Sequence, residues 1–182
     1  LQGMLDFEAA LAVAQADSGV IPIEAVDPIR QACRAERFDP SQIAAEAARA
    51  GNLAIPLIKH LTAAVKSQNP DAARFVHWGA TSQDVIDTGL VLQLKGALRL
   101  IEADLDRLIA ALATQAAAHR DTVMIGRTWL QHALPLTFGL KLAGSLDAVL
   151  RQRAQLQALK PEMLSLQFGG AAGTLASLRD KG

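Results

Sequence analysis

The chain has 182 residues, 51% of them apolar and 20% charged, a globular composition large enough for one sizeable core or two small ones. Its 18 Lys and Arg balance its 18 Asp and Glu, which removes the basic excess that a nucleic-acid binder carries, and no apolar run reaches bilayer-spanning length. Cys33 is the only cysteine and no signal-peptide pattern opens the chain, so a cytoplasmic protein with neither nucleic-acid nor membrane partners is expected. Leu1 replaces an initiator Met, and the closing LASLRDKG reads as the beginning of a loop; the chain is expected to be part of a longer protein.

Apolar residues recur mainly every three to four positions and β-branched runs are scarce, which predicts an all-α fold. A first helix is expected over about Leu5–Asp17, stopped by Gly19 and Pro22, and a second over about Glu24–Arg34. In FDPSQIAAEAARAG, Asp39 caps a third helix, Pro40 suits its first position and Gly51 closes it. IPLIKHLTAAVKS and PDAARFVHW follow as short helices split at Asn69-Pro70.

From Ser82 to about His119 there is neither proline nor loop cluster, and Leu90, Leu94, Ala97, Ile101, Leu105, Leu108 and Leu112 mark one apolar stripe. A helix of about 38 residues, roughly 57 Å long, is predicted there. Gly89 and Gly96 inside it each cost about 1 kcal/mol relative to Ala, which close approach of a neighbouring helix would offset. A second long helix is expected from about Pro135 to Leu159, ending before Pro161. This divides the chain into a short-helix region, 1–79, and the first part of a long-helix bundle, 80–182. The two apolar stripes need partners, either later chain or other subunits.

Three polar clusters interrupt this pattern. In HWGATSQD (77–84), Thr81 or Ser82 can cap the long helix, whose free first-turn amides attract an anion. The plainer reading is a cap completed by Asp84 in the manner of a capping box, with His77 half-buried and hydrogen-bonded. In GRTWLQHALP (126–135), Arg127 suits a carboxylate, Thr128 and Gln131 offer neutral hydrogen bonds, and His132 is an acid, base or donor. The alternative is a helix start anchored by Trp129. FGGAAGTLAS (168–177) has the glycines of a phosphate loop, but no Lys-Ser/Thr follows Gly173, so a tight turn with Thr174 exposed is the better fit. His60 and His119 read as structural, and no cluster has metal-ligand spacing.

Taken in order, GATSQDVIDT, GRTWLQHALPLTFGLKLAG and GGAAGTLAS resemble the three conserved regions of the fumarase/aspartase superfamily. The resemblance covers most of the chain from about Arg74 onward. It implies all-helical homotetramers with a central long-helix bundle, active sites assembled from three subunits, and a small polycarboxylate substrate. It implies no metal or organic cofactor. Thr81 and Ser82 would bind one substrate carboxylate, with Gln83 beside them. Arg127, Thr128 and Gln131 would serve the second site segment, and His77 would be a donor or acid. The superfamily's mobile loop would lie beyond residue 182, so these residues alone are expected to bind polycarboxylates without turnover.

One position departs from the pattern. Most members carry a His after the Thr of the second region, and here that place is Trp129. His132, three residues on, does not match, and no catalytic role passes to it. The strings MLDFEAALA, GRTWLQHALPLTFG and LQFGGAAGTLASL are similar to the superfamily's lactone-forming cycloisomerase branch, which adds one carboxylate of a tricarboxylate across its own double bond in protocatechuate catabolism. That similarity makes Trp129 a wall of the pocket. The alternatives are a fumarate-releasing member of the superfamily, such as adenylosuccinate lyase, and a non-catalytic helical scaffold.

Overall fold

The computed structural model describes all residues, 1–182. Its helices are α1 (Gln2–Asp17), α2 (Val26–Ala32), α3 (Pro40–Ala50), α4 (Ala54–Lys66), α5 (Ser82–Ala118) and α6 (Phe138–Met163). Strands β1 (Val123–Thr128) and β2 (Gln131–Thr137) lie between α5 and α6, and one-turn 3-10 helices fill several connections. The fold is helical, as expected, apart from this hairpin.

Two compact units divide the chain: residues Leu1–Leu94 with Ser165–Gly182, and residues Lys95–Leu164. The first unit holds the core. Leu5 and Ile29 pack with Ile43, Leu57, Leu61, Val65 and Val85, all fully buried. Each such side chain contributes about 1.5–3 kcal/mol by leaving water. Asp39 accepts a hydrogen bond from Ser41 N, Pro40 opens α3 and Gly51 closes it in the left-handed region, all as the sequence predicts. Inside α5, Gly89 meets Gly3 of α1; a Cβ on Gly3 would lie 2.6 Å from Gly89 O. The close approach expected at Gly89 is therefore present, whereas Gly96 faces open space within this chain.

In the second unit, the later part of α5 is tied to α6 by ion pairs Lys160–Glu102 (2.6 Å) and Arg153–Asp106. Gly139 N donates to His119 O at 2.9 Å, an approach that requires glycine, because a Cβ there would sit 2.5 Å from Ala116 O. Leu100, Ile101 and Leu108 of α5 and Leu140, Leu150 and Leu159 of α6 are exposed.

The sequence reading placed residues 126–135 at the mouth of a helix, and the structure corrects it. β1 pairs antiparallel with β2, with a register irregularity between Ile125 and Arg127. Gly126 fits this bulge because a Cβ would lie 2.5 Å from Leu134 O. Trp129 and Leu130 form the two-residue turn, both with positive φ (44° and 65°), the backbone sign of a type I′ hairpin. Pro135 therefore sits in a strand opposite Ile125, and α6 begins three residues later, where the Thr137 hydroxyl accepts from Leu140 N at 3.1 Å. The helix also runs through Pro161 rather than stopping before it. The ring displaces only the Gln157 carbonyl, on an exposed final turn where solvent can satisfy that group.

Candidate active site

Two polar residues occupy core positions on α1. Glu8 and Gln15 stand seven residues apart, hence on one helix face, and are 1% and 4% exposed. Both reach the loop before α5. Glu8 Oε1 lies 2.6 Å from His77 Nδ1, and Gln15 Nε2 donates to Trp78 O at 2.6 Å. These bonds hold a loop whose backbone is unusual: His77 has φ 58° and Gly79 φ 72°. A left-handed non-glycine residue is uncommon, and the Glu8 contact helps hold His77 there. Glu8 Oε2 and Gln15 Oε1 are buried with no hydrogen-bond partner in the chain.

Five residues beyond Gly79, Asp84 organises the start of α5. It is 0% exposed. One oxygen accepts from Thr81 N (2.9 Å) and Gly170 N (3.0 Å), the other from Gly169 N (2.9 Å) and Gln167 Nε2 (3.4 Å). Burial pushes this carboxyl up, but the three backbone N–H donors and Gln167 outweigh it and hold it below the usual carboxylate range. Asp84 is thus the helix-start stabiliser that the capping-box pattern predicts, and it also fastens the glycine-rich turn to α5. That turn does not cradle phosphate, because Gly169 and Gly170 already donate to Asp84. Thr88 completes the seam, donating from its hydroxyl to Gln167 O at 2.9 Å and accepting from Gln167 N at 3.2 Å.

With Asp84 saturated, the remaining donors at this end of α5 are free. The half-buried Thr81 and Ser82 hydroxyls make no hydrogen bond in the chain, and the Ser82 and Gln83 amides have no backbone acceptor. This end of a 37-residue helix carries the positive end of its dipole, so hydroxyls and amides together suit a carboxylate. The Gln83 side chain is exposed and donates to Asp87, which leaves it less available than expected. A mainly apolar cavity of about 230 Å³ in the same unit, lined by Phe7, Leu11, Gln15, Phe168, Leu178 and Lys181, does not include His77, Thr81 or Ser82.

The structure therefore gathers Glu8, His77, Thr81, Ser82 and Asp84 in one unit. Arg127, Thr128, Trp129 and Gln131 belong to the other, at the end of the hairpin. All four are exposed and make no side-chain hydrogen bond, and Trp129 is 92% exposed. Sequence reasoning missed Glu8 and Gln15. The signal was present: each interrupts the apolar stripe that includes Leu5, Leu11 and Ala12. Cys33 is a poor nucleophile, since burial, with the negative charges of Glu8 and Asp6, pushes its thiol up to about 12.

A helical fold whose longest helix starts with free hydroxyls and amides, fastened to a glycine-rich turn, is what the chain presents for comparison. The lyase family's sequence profile matches residues 1–181, and the chain belongs to that family. It is 59% identical to the 3-carboxy-cis,cis-muconate cycloisomerase of Pseudomonas aeruginosa, over 100% of this chain and 39% of that protein. It superposes on the 3-carboxy-cis,cis-muconate lactonizing enzyme of Pseudomonas putida with a TM-score of 0.98 at 58% identity, covering 100% of this chain and 41% of that one. The β-carboxy-cis,cis-muconate cycloisomerase of Acinetobacter calcoaceticus sp. ADP1 gives 0.96 at 45% identity, covering 99% and 42%. The chain thus spans about two fifths of the length of these relatives.

Proposed function

We propose that this chain is part of a cycloisomerase that interconverts 3-carboxy-cis,cis-muconate and a carboxymuconolactone, a step in protocatechuate catabolism by the β-ketoadipate route. The observation that carries the reading is the set of unspent donors at the start of α5, found in a chain whose residues are 59% identical to 39% of a named cycloisomerase. In the proposed reaction, a carboxylate oxygen of the substrate forms a C–O bond to an alkene carbon. The π electrons move to the neighbouring carbon, whose carbanion is stabilised as an aci-carboxylate and then takes a proton. The reverse step expels the carboxylate.

The substrate carries three negative charges, and preorganised donors must neutralise charge where it accumulates. Thr81, Ser82 and the α5 amides would hold one carboxylate. Arg127, Thr128 and Gln131 would serve another, with Trp129 as an apolar wall and His77 as the proton donor. The reading includes sites shared between subunits of a cytoplasmic homotetramer. The exposed leucines of α5 and α6 are the apolar surface such an assembly would cover. The test is Ser82→Ala in the full-length protein. Loss of a hydrogen bond to a charged group should weaken 3-carboxymuconate binding by about 1.5–3 kcal/mol. Unchanged binding would return this segment to a plain helix cap.

A further inference from the structure

His77 is held by a residue that no motif identifies. Glu8 lies inside the core face of α1, 69 residues away in sequence, and its Oε1 is 2.6 Å from His77 Nδ1. A carboxylate that close to an imidazole nitrogen favours the tautomer with hydrogen on Nδ1. It leaves Nε2, which has no partner in the chain, as the nitrogen open to proton exchange. Glu8 is 1% exposed, so little solvent competes for the contact. The contact is also held mechanically. Gln15, two turns along the same face, grips the next carbonyl of the loop, Trp78 O. Carboxylate–imidazole pairs of this kind orient the ring and stabilise its protonated form in acid–base sites.

We propose that Glu8 is the positioning residue for His77, fixing Nδ1–H and turning Nε2 outward to deliver the proton to the substrate carbanion. This rests on the functional reading above, in which a carbanion must be protonated. The proton passes from Nε2 to carbon and leaves neutral His77 with Nδ1–H still directed at Glu8. Neither Thr81 nor Ser82 is needed for this arrangement; they bind the carboxylate a few residues further along.

The experiment is a double-mutant cycle on the full-length protein with Glu8→Gln, His77→Ala and both together. Gln retains an oxygen to accept from Nδ1–H but removes the charge. Expected results are native circular dichroism for Glu8→Gln, kcat lowered at least tenfold with KM within threefold, and a double variant no slower than His77→Ala alone. In parallel, selective 15N-histidine NMR of the neutral ring, recorded at alkaline pH, should show His77 as the Nδ1–H tautomer in the wild type and a mixture of tautomers in Glu8→Leu. Wild-type kcat in Glu8→Gln, or rate losses that multiply in the double variant, would overturn the proposal. So would an Nε2–H tautomer in the wild type. A wild type that fails to consume 3-carboxymuconate would sink the functional reading instead, while the NMR result would still decide whether the pair exists.

Discussion

Replacing Asp84 by Asn changes one atom of a buried carboxylate. In the native chain its two oxygens take four donors: the amides of Thr81, Gly169 and Gly170 and the side chain of Gln167. Asn supplies only one oxygen. Whichever way its amide turns, its NH2 group faces at least one backbone N–H that has no other acceptor in the chain. A buried donor left unmade costs about 1–3 kcal/mol, and hydrogen bonds to a charged acceptor contribute about 1.5–3 kcal/mol each. One donor lost outright and the others weakened give a loss of about 3 kcal/mol. For a chain of this size that corresponds to a fall of roughly 6–12 °C in Tm.

The pH dependence of this loss follows from the depressed folded pKa. Asp84 contributes stability that is present above the ordinary carboxylate range and is lost as pH falls through its lower folded value. The gap between wild type and Asp84→Asn should therefore be full at pH 7 and shrink as the solution is acidified past that value. Thermal denaturation followed by circular dichroism at several pH values measures it. A variant within about 0.5 kcal/mol of wild type at pH 7, or a gap that widens on acidification, would refute the assignment of Asp84 as the seam between α5 and the glycine-rich turn.

Gly79→Ala should cost about 1–3 kcal/mol in denaturant unfolding, because its φ of 72° disfavours any side chain and a Cβ would approach Leu178 Cδ2 to 2.7 Å. Cys33, buried and with its thiol pushed up to about 12, should resist iodoacetamide at pH 8 in the native protein and react fully in guanidinium, as mass spectrometry would show. Trp129→His should leave thermal stability within about 0.5 kcal/mol, since the indole is 92% exposed, yet lower lactonisation by the full-length protein. Unchanged kinetics would remove Trp129 from the site.

The local signals in this sequence were sufficient wherever the structure is locally decided. Asp39, Pro40 and Gly51 bound α3 through their own backbone geometry, and the stripe from Leu90 to Leu112 marks α5 along its length. The hairpin was illegible because Trp129 and Leu130 replace the Asn-Gly or Asp-Gly that normally supplies positive φ, and because Pro135 suits the first turn of a helix as well as an edge strand. At the candidate site, Thr81 and Ser82 were readable as a helix start. Asp84 was readable only as a local cap; its bonds to Gly169 and Gly170 cross more than 80 residues. Glu8 was visible only as a break in the apolar stripe of α1; its pairing with His77 crosses 69 residues.

The central claim is a lactone-forming addition, and turnover by the full-length protein tests it most directly. Purified protein given 3-carboxy-cis,cis-muconate should show saturable loss of the diene absorbance, with a carboxymuconolactone identified by proton NMR and no fumarate released from adenylosuccinate. An intact diene, together with cleavage of adenylosuccinate, would contradict the account and place this chain with the fumarate-releasing lyases.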